Sequence, residues 1–247
     1  MPPASPRNRL LRALPPDDLA LLQPHLDPVR LRRGDVVIRP DEPIEYAYFP
    51  EGGLASVISY AGAGAGEGRR VEVGLFGLEG MAGTALVLGA DRTPHETFVQ
   101  VAGTWLRLDA GVLERATRRS TALRELLMRY VQTFLLTLSQ TVLANGAYTM
   151  EERLARWLLM CHDRLDGDDV PLTHDLLSLM LATHRPGVTV AVHALEGARM
   201  IRARRGVITV LDRGKLRQAA GGTYGAAEAE YERLIGPFKT DPGGATA

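Results

Sequence analysis

The chain has 247 residues, 29 Lys and Arg against 29 Asp and Glu, and a hydrophobic fraction of 45%, so it carries no net charge and is long enough for two modest domains with a core each. Those values exclude a largely disordered chain, and any attraction for nucleic acid must come from a segregated patch rather than from overall charge. The opening Met1-Pro-Pro-Ala-Ser-Pro6 lacks the apolar core of a signal peptide, no stretch approaches the roughly 18 to 20 apolar residues of a membrane span, and the single Cys161 rules out an internal disulfide framework or a four-cysteine iron–sulfur cluster; a cytoplasmic protein is expected.

The first elements are helical: Asn8 to Leu14, then Leu19 to His25 behind a Pro15-Pro16-Asp17-Asp18 start. From there to Leu108, short alternating runs separated by Gly and Pro predict an antiparallel sandwich or roll. The predicted strands are Val29-Leu31, Val36-Arg39, Ala47-Phe49, Leu54-Ser59, Arg70-Phe76, Thr97-Val101 and Thr104-Leu108. The glycine and alanine tip from Ala61 to Gly68 is low in complexity, and its glycines make it costly to order.

Apolar spacing changes to the helical period from about Ala122 to Asn145. Leu127, Tyr130, Phe134, Leu138 and Thr141 continue one face begun at Leu123, while Leu126, Val131, Leu135 and Val142 make the other side apolar too. A helix apolar on two sides needs two partners, one its own roll and the other a second copy of the chain; the face from Leu127 to Thr141 is assigned to the second copy. Asn145-Gly146 is read as the helix end and the hinge between halves, and Thr149-Met-Glu-Glu152 as a capping box opening a helix from Met150 to Leu165. Cys161 and His162 do not form a nucleophile and base, because neighbours on a helix point about 100° apart. With no paired acid and base and no metal-ligand spacing elsewhere, neither an enzyme, nor a cofactor, nor a metal site is expected.

Leu172 to Ile201 holds two helical patterns joined by a very tight turn, as in a helix-turn-helix. Ala182 occupies the turn, and Leu177, Met180, Leu181, Val188, Val192 and Leu195 form the seam. Thr173 is suited to cap the first helix; His184 or Thr183 starts the second, with Pro186 in its first turn, where a missing N–H costs little. The outer face then presents Arg185, Thr189 and His193, at the end of the helix that enters a major groove in the DNA-binding version of the motif. Arg199, Arg202, Arg204 and Arg205 crowd the start of a hairpin continued by Gly206 to Leu211, an arrangement that looks like the wing of a winged helix lying along phosphates.

This order of parts resembles the Crp/Fnr family of bacterial transcription regulators. The likeness is carried by Arg33-Gly-Asp-Val-Val-Ile-Arg-Pro-Asp-Glu42, by Tyr46-Ala-Tyr-Phe-Pro-Glu-Gly-Gly53 and by the helix-turn-helix, and it spans about Leu10 to Leu211. It implies an α+β protein: a jelly-roll-like antiparallel β-roll of the cyclic-nucleotide-binding type (8–120), a long dimerisation helix (121–146) and a winged helix-turn-helix (147–215), followed here by a partly disordered helical tail (216–247). It further implies a homodimer on a two-fold-related site in double-stranded DNA, contact with RNA polymerase, and an effector pocket in each roll. The DNA-facing residues would be Thr173, His184, Arg185, Thr189, His193, Arg202, Arg204 and Arg205. The alternative is a ligand- or partner-responsive module that has lost specific DNA binding.

The effector pocket departs from the cyclic-AMP-binding members. Gly77, Gly80 and Gly83 match the glycines of their phosphate cassette, but Met81 stands where a Glu holds the ribose, and His95-Glu96-Thr97 replaces the Arg-Ser/Thr-Ala that binds the phosphate. Losing that Arg removes a charge-assisted pair worth about 1.5 to 3 kcal/mol. The glycines are therefore read as turn geometry kept by the fold, and gating by cyclic AMP is not expected; His25 and His95 as haem ligands have no supporting motif. In the recognition helix Arg185 is retained, while Pro186 and Val190 replace the family's following Glu and second Arg, so the family's operator sequence does not carry over.

Overall fold

The computed structural model describes residues 5–61, 69–172 and 174–238. The tip from 62 to 68 and Thr173, expected to cap the first helix of the helix-turn-helix, lie outside them. The chain begins with helices α1 (Arg9–Arg12), capped by the Asn8 side chain, and α2 (Pro16–Leu22). Strands β1 (Asp27–Leu31), β2 (Val36–Ile38), β3 (Tyr46–Pro50), β4 (Leu54–Ala61) and β5 (Arg69–Phe76) follow, then the one-turn helix α3 (Thr84–Val87), β6 (Glu96–Val101) and β7 (Gly103–Asp109). Each strand expected from alternation is present, with bounds shifted by two residues at most.

The strands pair antiparallel in two sheets, ordered β1-β7-β3 and β2-β6-β4-β5. Successive residues of a strand point to opposite faces, and in both sheets apolar residues on the two faces enter different clusters. Ile38, Ala55, Phe76 and Val99 of the second sheet meet Trp105 of the first between the layers. Phe49, Leu106 and Leu108 turn the other way, into a cluster with α1 and α2. On the far side of the second sheet, Leu54, Ile58, Leu75 and Phe98 share a core with the C-terminal domain.

Helix α4 (Ala110–Arg119), capped by Asp109, leads into α5 (Thr121–Ala147), capped by Ser120. Apolar periodicity gave no sign of α4, whose buried residues are only Leu113 and Ala116 among charged neighbours. Helix α5 runs through the expected stop at Asn145-Gly146 and ends at Ala147: a single exposed Gly costs a helix only about 1 kcal/mol, less than the signal suggested.

The assignment of faces on α5 is corrected. Leu127 and Tyr130 are buried within the chain, Tyr130 to 2% exposure, and Tyr130 stacks on Phe134. Phe134 and Leu138 lie over β5, where a Cβ on Gly74 would come within 2.9 Å of Leu138 and 3.0 Å of Phe134. Thr141 is half-buried and donates to the Thr137 carbonyl. The face from Leu127 to Leu138 thus belongs to its own roll. The side left open carries Met128, Leu135 and Val142, exposed to 52, 51 and 71%, at seven-residue intervals.

Beyond α5 come α6 (Met150–His162), β8 (Asp169–Pro171), α7 (His174–Met180), α8 (Arg185–Gly197), β9 (Ile201–Arg204), β10 (Val207–Val210), α9 (Arg213–Ala219) and α10 (Ala226–Leu234). The Thr149 and Glu152 capping box forms as expected, and α6 stops three residues short of Leu165. Strand β8, too short to show periodicity, completes a three-stranded sheet ordered β8-β10-β9. Helix α10 returns to α5 and joins the first sheet's outer core through Tyr231, whose hydroxyl donates to the Glu79 carbonyl. Glu79, in the loop after β5, pairs at 2.7 Å with Arg164 just beyond α6, both 3% exposed, so roll and C-terminal domain are tied by a buried ion pair. No helix among the described residues is long and apolar enough to cross a membrane.

Candidate nucleic-acid interface and roll cavity

Helices α7 and α8 pack as the pattern required: Leu177, Met180 and Leu181 close on Val188, Ala191, Val192 and Leu195, all buried. Ala182 makes the turn with φ 47°, a left-handed conformation unusual for a residue with a Cβ. Arg153 of α6 steadies the turn by donating to the Leu181 carbonyl. His184 is the N-cap of α8, with extended backbone and no side-chain cap bond, and Pro186 lies in the first turn.

With the seam buried, the outer side of α8 carries His184, Arg185 and His193 into solvent, while Thr189 is half-buried with its hydroxyl donating to the Arg185 carbonyl at 3.1 Å. Next to it, β9 and β10 form the hairpin, Arg204 opposite Val207, with Gly206 at φ 80° in the turn. Ile201 and Ala203 face inward, so Arg202 and Arg204 point out, joined by exposed Arg205. Glu196 of α8 accepts from the Ala203 amide at 2.9 Å and fixes the hairpin against the helix. Neither Glu196 nor Arg153 stands out in the sequence, because their partners are backbone groups of residues beyond any helical or strand period.

The second feature is a cavity of about 160 Å³ in the roll. Of the residues proposed for an effector pocket, Met81, Gly83, His95 and Thr97 line it, and Gly77, Gly80 and Glu96 do not. Gly77 and Gly80 are needed for close packing: a Cβ on Gly77 would lie 2.9 Å from the Arg164 Cβ, and one on Gly80 2.2 Å from the Tyr130 hydroxyl. Glu96 faces away, pairing with Arg70 at 2.9 Å and accepting from the Tyr60 hydroxyl at 2.8 Å. The rest of the wall includes Val131, Phe134 and Leu138 of α5, of which Phe134 and Leu138 were expected at the dimer seam. His95 Nδ1 lies 3.0 Å from Thr93 Oγ1, and burial lowers the pKa of its ring, favouring the neutral imidazole.

The described residues thus form a two-sheet roll, a long connecting helix and a C-terminal winged helix. Residues 152–219 match the Crp-like helix-turn-helix domain family. Over 78 to 86% of its length the chain is similar in fold to solved structures that include Crp/Fnr proteins. One, described as a transcriptional regulator of the Crp/Fnr family from Eubacterium rectale, has a TM-score of 0.66 at 14% identity over 86% of this chain and 98% of its own. FixK2 from Bradyrhizobium japonicum scores 0.65 at 17% identity over 78 and 96%, and a transcriptional regulator of the CRP family from Thermus thermophilus scores 0.65 at 18% over 78 and 97%. No curated protein sequence matches the chain. Over residues 152–219 the chain is thus similar to the Crp-like helix-turn-helix family, and its fold is that of the solved Crp/Fnr proteins.

Proposed function

We propose that the protein is a sequence-specific DNA-binding regulator that acts as a homodimer on a two-fold-related site and is not gated by cyclic AMP. The observation that carries this reading is the segregation of charge on the winged helix: its apolar seam is buried, while Arg185 on α8 and Arg202, Arg204 and Arg205 on the hairpin are exposed in a chain of zero net charge. Arg185, at the start of α8, suits bidentate contact with guanine O6 and N7, and the hairpin arginines suit phosphates. The stripe of Met128, Leu135 and Val142 supports pairing of α5 with its counterpart in a second copy, which would set two recognition helices for adjacent turns of the major groove. Against gating by cyclic AMP stand the described walls of the roll cavity, which include no Arg, Lys, Asp or Glu, so a phosphate there would give up hydration without a counter-charge. Selection of bound duplexes from a random pool tests the reading. Enrichment of a motif with two-fold symmetry supports it; recovery of DNA with no common motif favours a module that has lost sequence specificity.

A further inference from the structure

We propose that the roll cavity binds a neutral, largely apolar molecule the size of a single six-membered ring, held by contact with α5 and by one hydrogen bond at His95. Size comes first. A cavity of about 150 Å³ lined by Leu, Ile and Phe holds a benzene, and this one, of about 160 Å³, has the same kind of wall in Ile38, Ile44, Phe76, Val131, Phe134 and Leu138. Charge comes second. Among the described lining residues there is no Arg, Lys, Asp or Glu, and burial favours the neutral form of the His95 ring, so an anion would lose hydration without gaining a full counter-charge. Polarity comes third: Thr93, His95 and Thr97 lie together in the wall, and with Nδ1 of His95 beside the Thr93 hydroxyl, Nε2 is left for a ligand hydroxyl or amine.

The position gives binding a consequence. Leu135 borders the cavity and also belongs to the open stripe of α5, so a molecule in the cavity bears on the helix surface offered to a second copy. Its role as an effector rests on the DNA-binding reading; its occupancy does not, and can be measured without DNA.

Calorimetry on the full chain with phenol, cyclohexanol, benzoate and cyclic AMP tests the proposal. Phenol or cyclohexanol is expected to bind once per chain at submillimolar concentration, with benzoate at least about tenfold weaker and cyclic AMP not binding. Ala85→Phe, which directs a ring into the cavity from α3, should weaken phenol at least about tenfold, and His95→Leu should weaken phenol while sparing toluene. Amide shifts in labelled wild-type protein, which need no variant to fold, should cluster on α3, on Thr93 to Thr97 and on the cavity side of α5. Absence of binding by every neutral probe to about 10 mM, benzoate or cyclic AMP binding as tightly as phenol, or shifts confined elsewhere would overturn it.

Discussion

Arg185 and the hairpin arginines carry equal charge, and their placement predicts different effects on DNA binding. Arg185→Ala is expected to cost about 1 to 3 kcal/mol on the preferred site and to relax base preference at one symmetric pair of positions. Arg204→Ala should weaken all duplexes alike and flatten the log–log salt dependence by about one unit for each phosphate it no longer neutralises, because fewer counterions are released. Competition titrations at several salt concentrations separate the two, and equal weakening of preferred and random DNA by Arg185→Ala would remove it from base reading. A second residue-scale prediction concerns Glu72, buried on β5 against α6, with one oxygen accepting from the Trp157 indole N–H at 2.8 Å and the other without a partner. Burial pushes its carboxyl up to about 7, opposed by the neighbouring Ser56 hydroxyl, the Trp157 bond and the charges of Arg156 and Arg164. Between the ordinary glutamate value and about 7 the unfolded state gives up its proton while the folded state keeps it, so stability falls as pH rises through that window. Glu72→Gln, which keeps an acceptor for Trp157, should gain stability over wild type at pH 8 and little at pH 4.5, by about 3 kcal/mol at most. Denaturant melts at the two pH values check this; an equal effect at both would mean that Glu72 stays charged. Arg185 was legible from its place after the turn, whereas Glu72 was not, because its burial is made by Trp157, 85 residues away.

Among the elements, α5 shows most clearly what periodicity reveals and what it leaves open. The spacing identified a long helix with two apolar sides, but both sides hold large hydrophobic side chains, so spacing alone could not say which faces inward. Gly74 decides it: the strand under α5 has no side chain there, and Phe134 and Leu138 fill the space. Two substitutions therefore diverge. Phe134→Asp should destabilise the fold itself, placing a carboxylate over β5 without a partner, by several kcal/mol. Val142→Glu, at a position open to solvent in a single chain, should leave the melting temperature of the monomer nearly unchanged while setting like charges together across a two-fold seam and dissociating the dimer. Sedimentation at several concentrations reads this directly. A Val142→Glu protein with the wild-type association constant would exclude the open stripe from the seam. The glycines of the loop after β5 make a related point: their spacing resembled a phosphate cassette, yet Gly77 and Gly80 are explained by the approach of Arg164 and Tyr130.

In the whole molecule, roll and winged helix form a continuous core, since Leu54, Ile58, Leu75 and Phe98 pack with α6, α7 and α8, and the pair of Arg164 with Glu79 lies between the two halves. Removing one partner leaves the other charge buried, so Arg164→Met should cost about 3 to 5 kcal/mol, and adding Glu79→Gln should recover a large part of it. A double-mutant cycle by denaturant melting measures the coupling, and simple additivity would show that the pair contributes no interaction. This link could not be read from sequence, because charged residues 85 positions apart give no periodic signal. The order of roll, long helix and winged helix was legible, since each part has its own apolar period. The central claim, that this assembly reads DNA as a two-fold dimer, is tested most directly by titrating wild-type protein against the selected duplex, its isolated half-site and a shuffled duplex of equal length at one salt concentration. The account predicts two chains per full site, with affinity at least about a thousandfold above the shuffled duplex and a large loss on the half-site. Equal affinity for all three would contradict it.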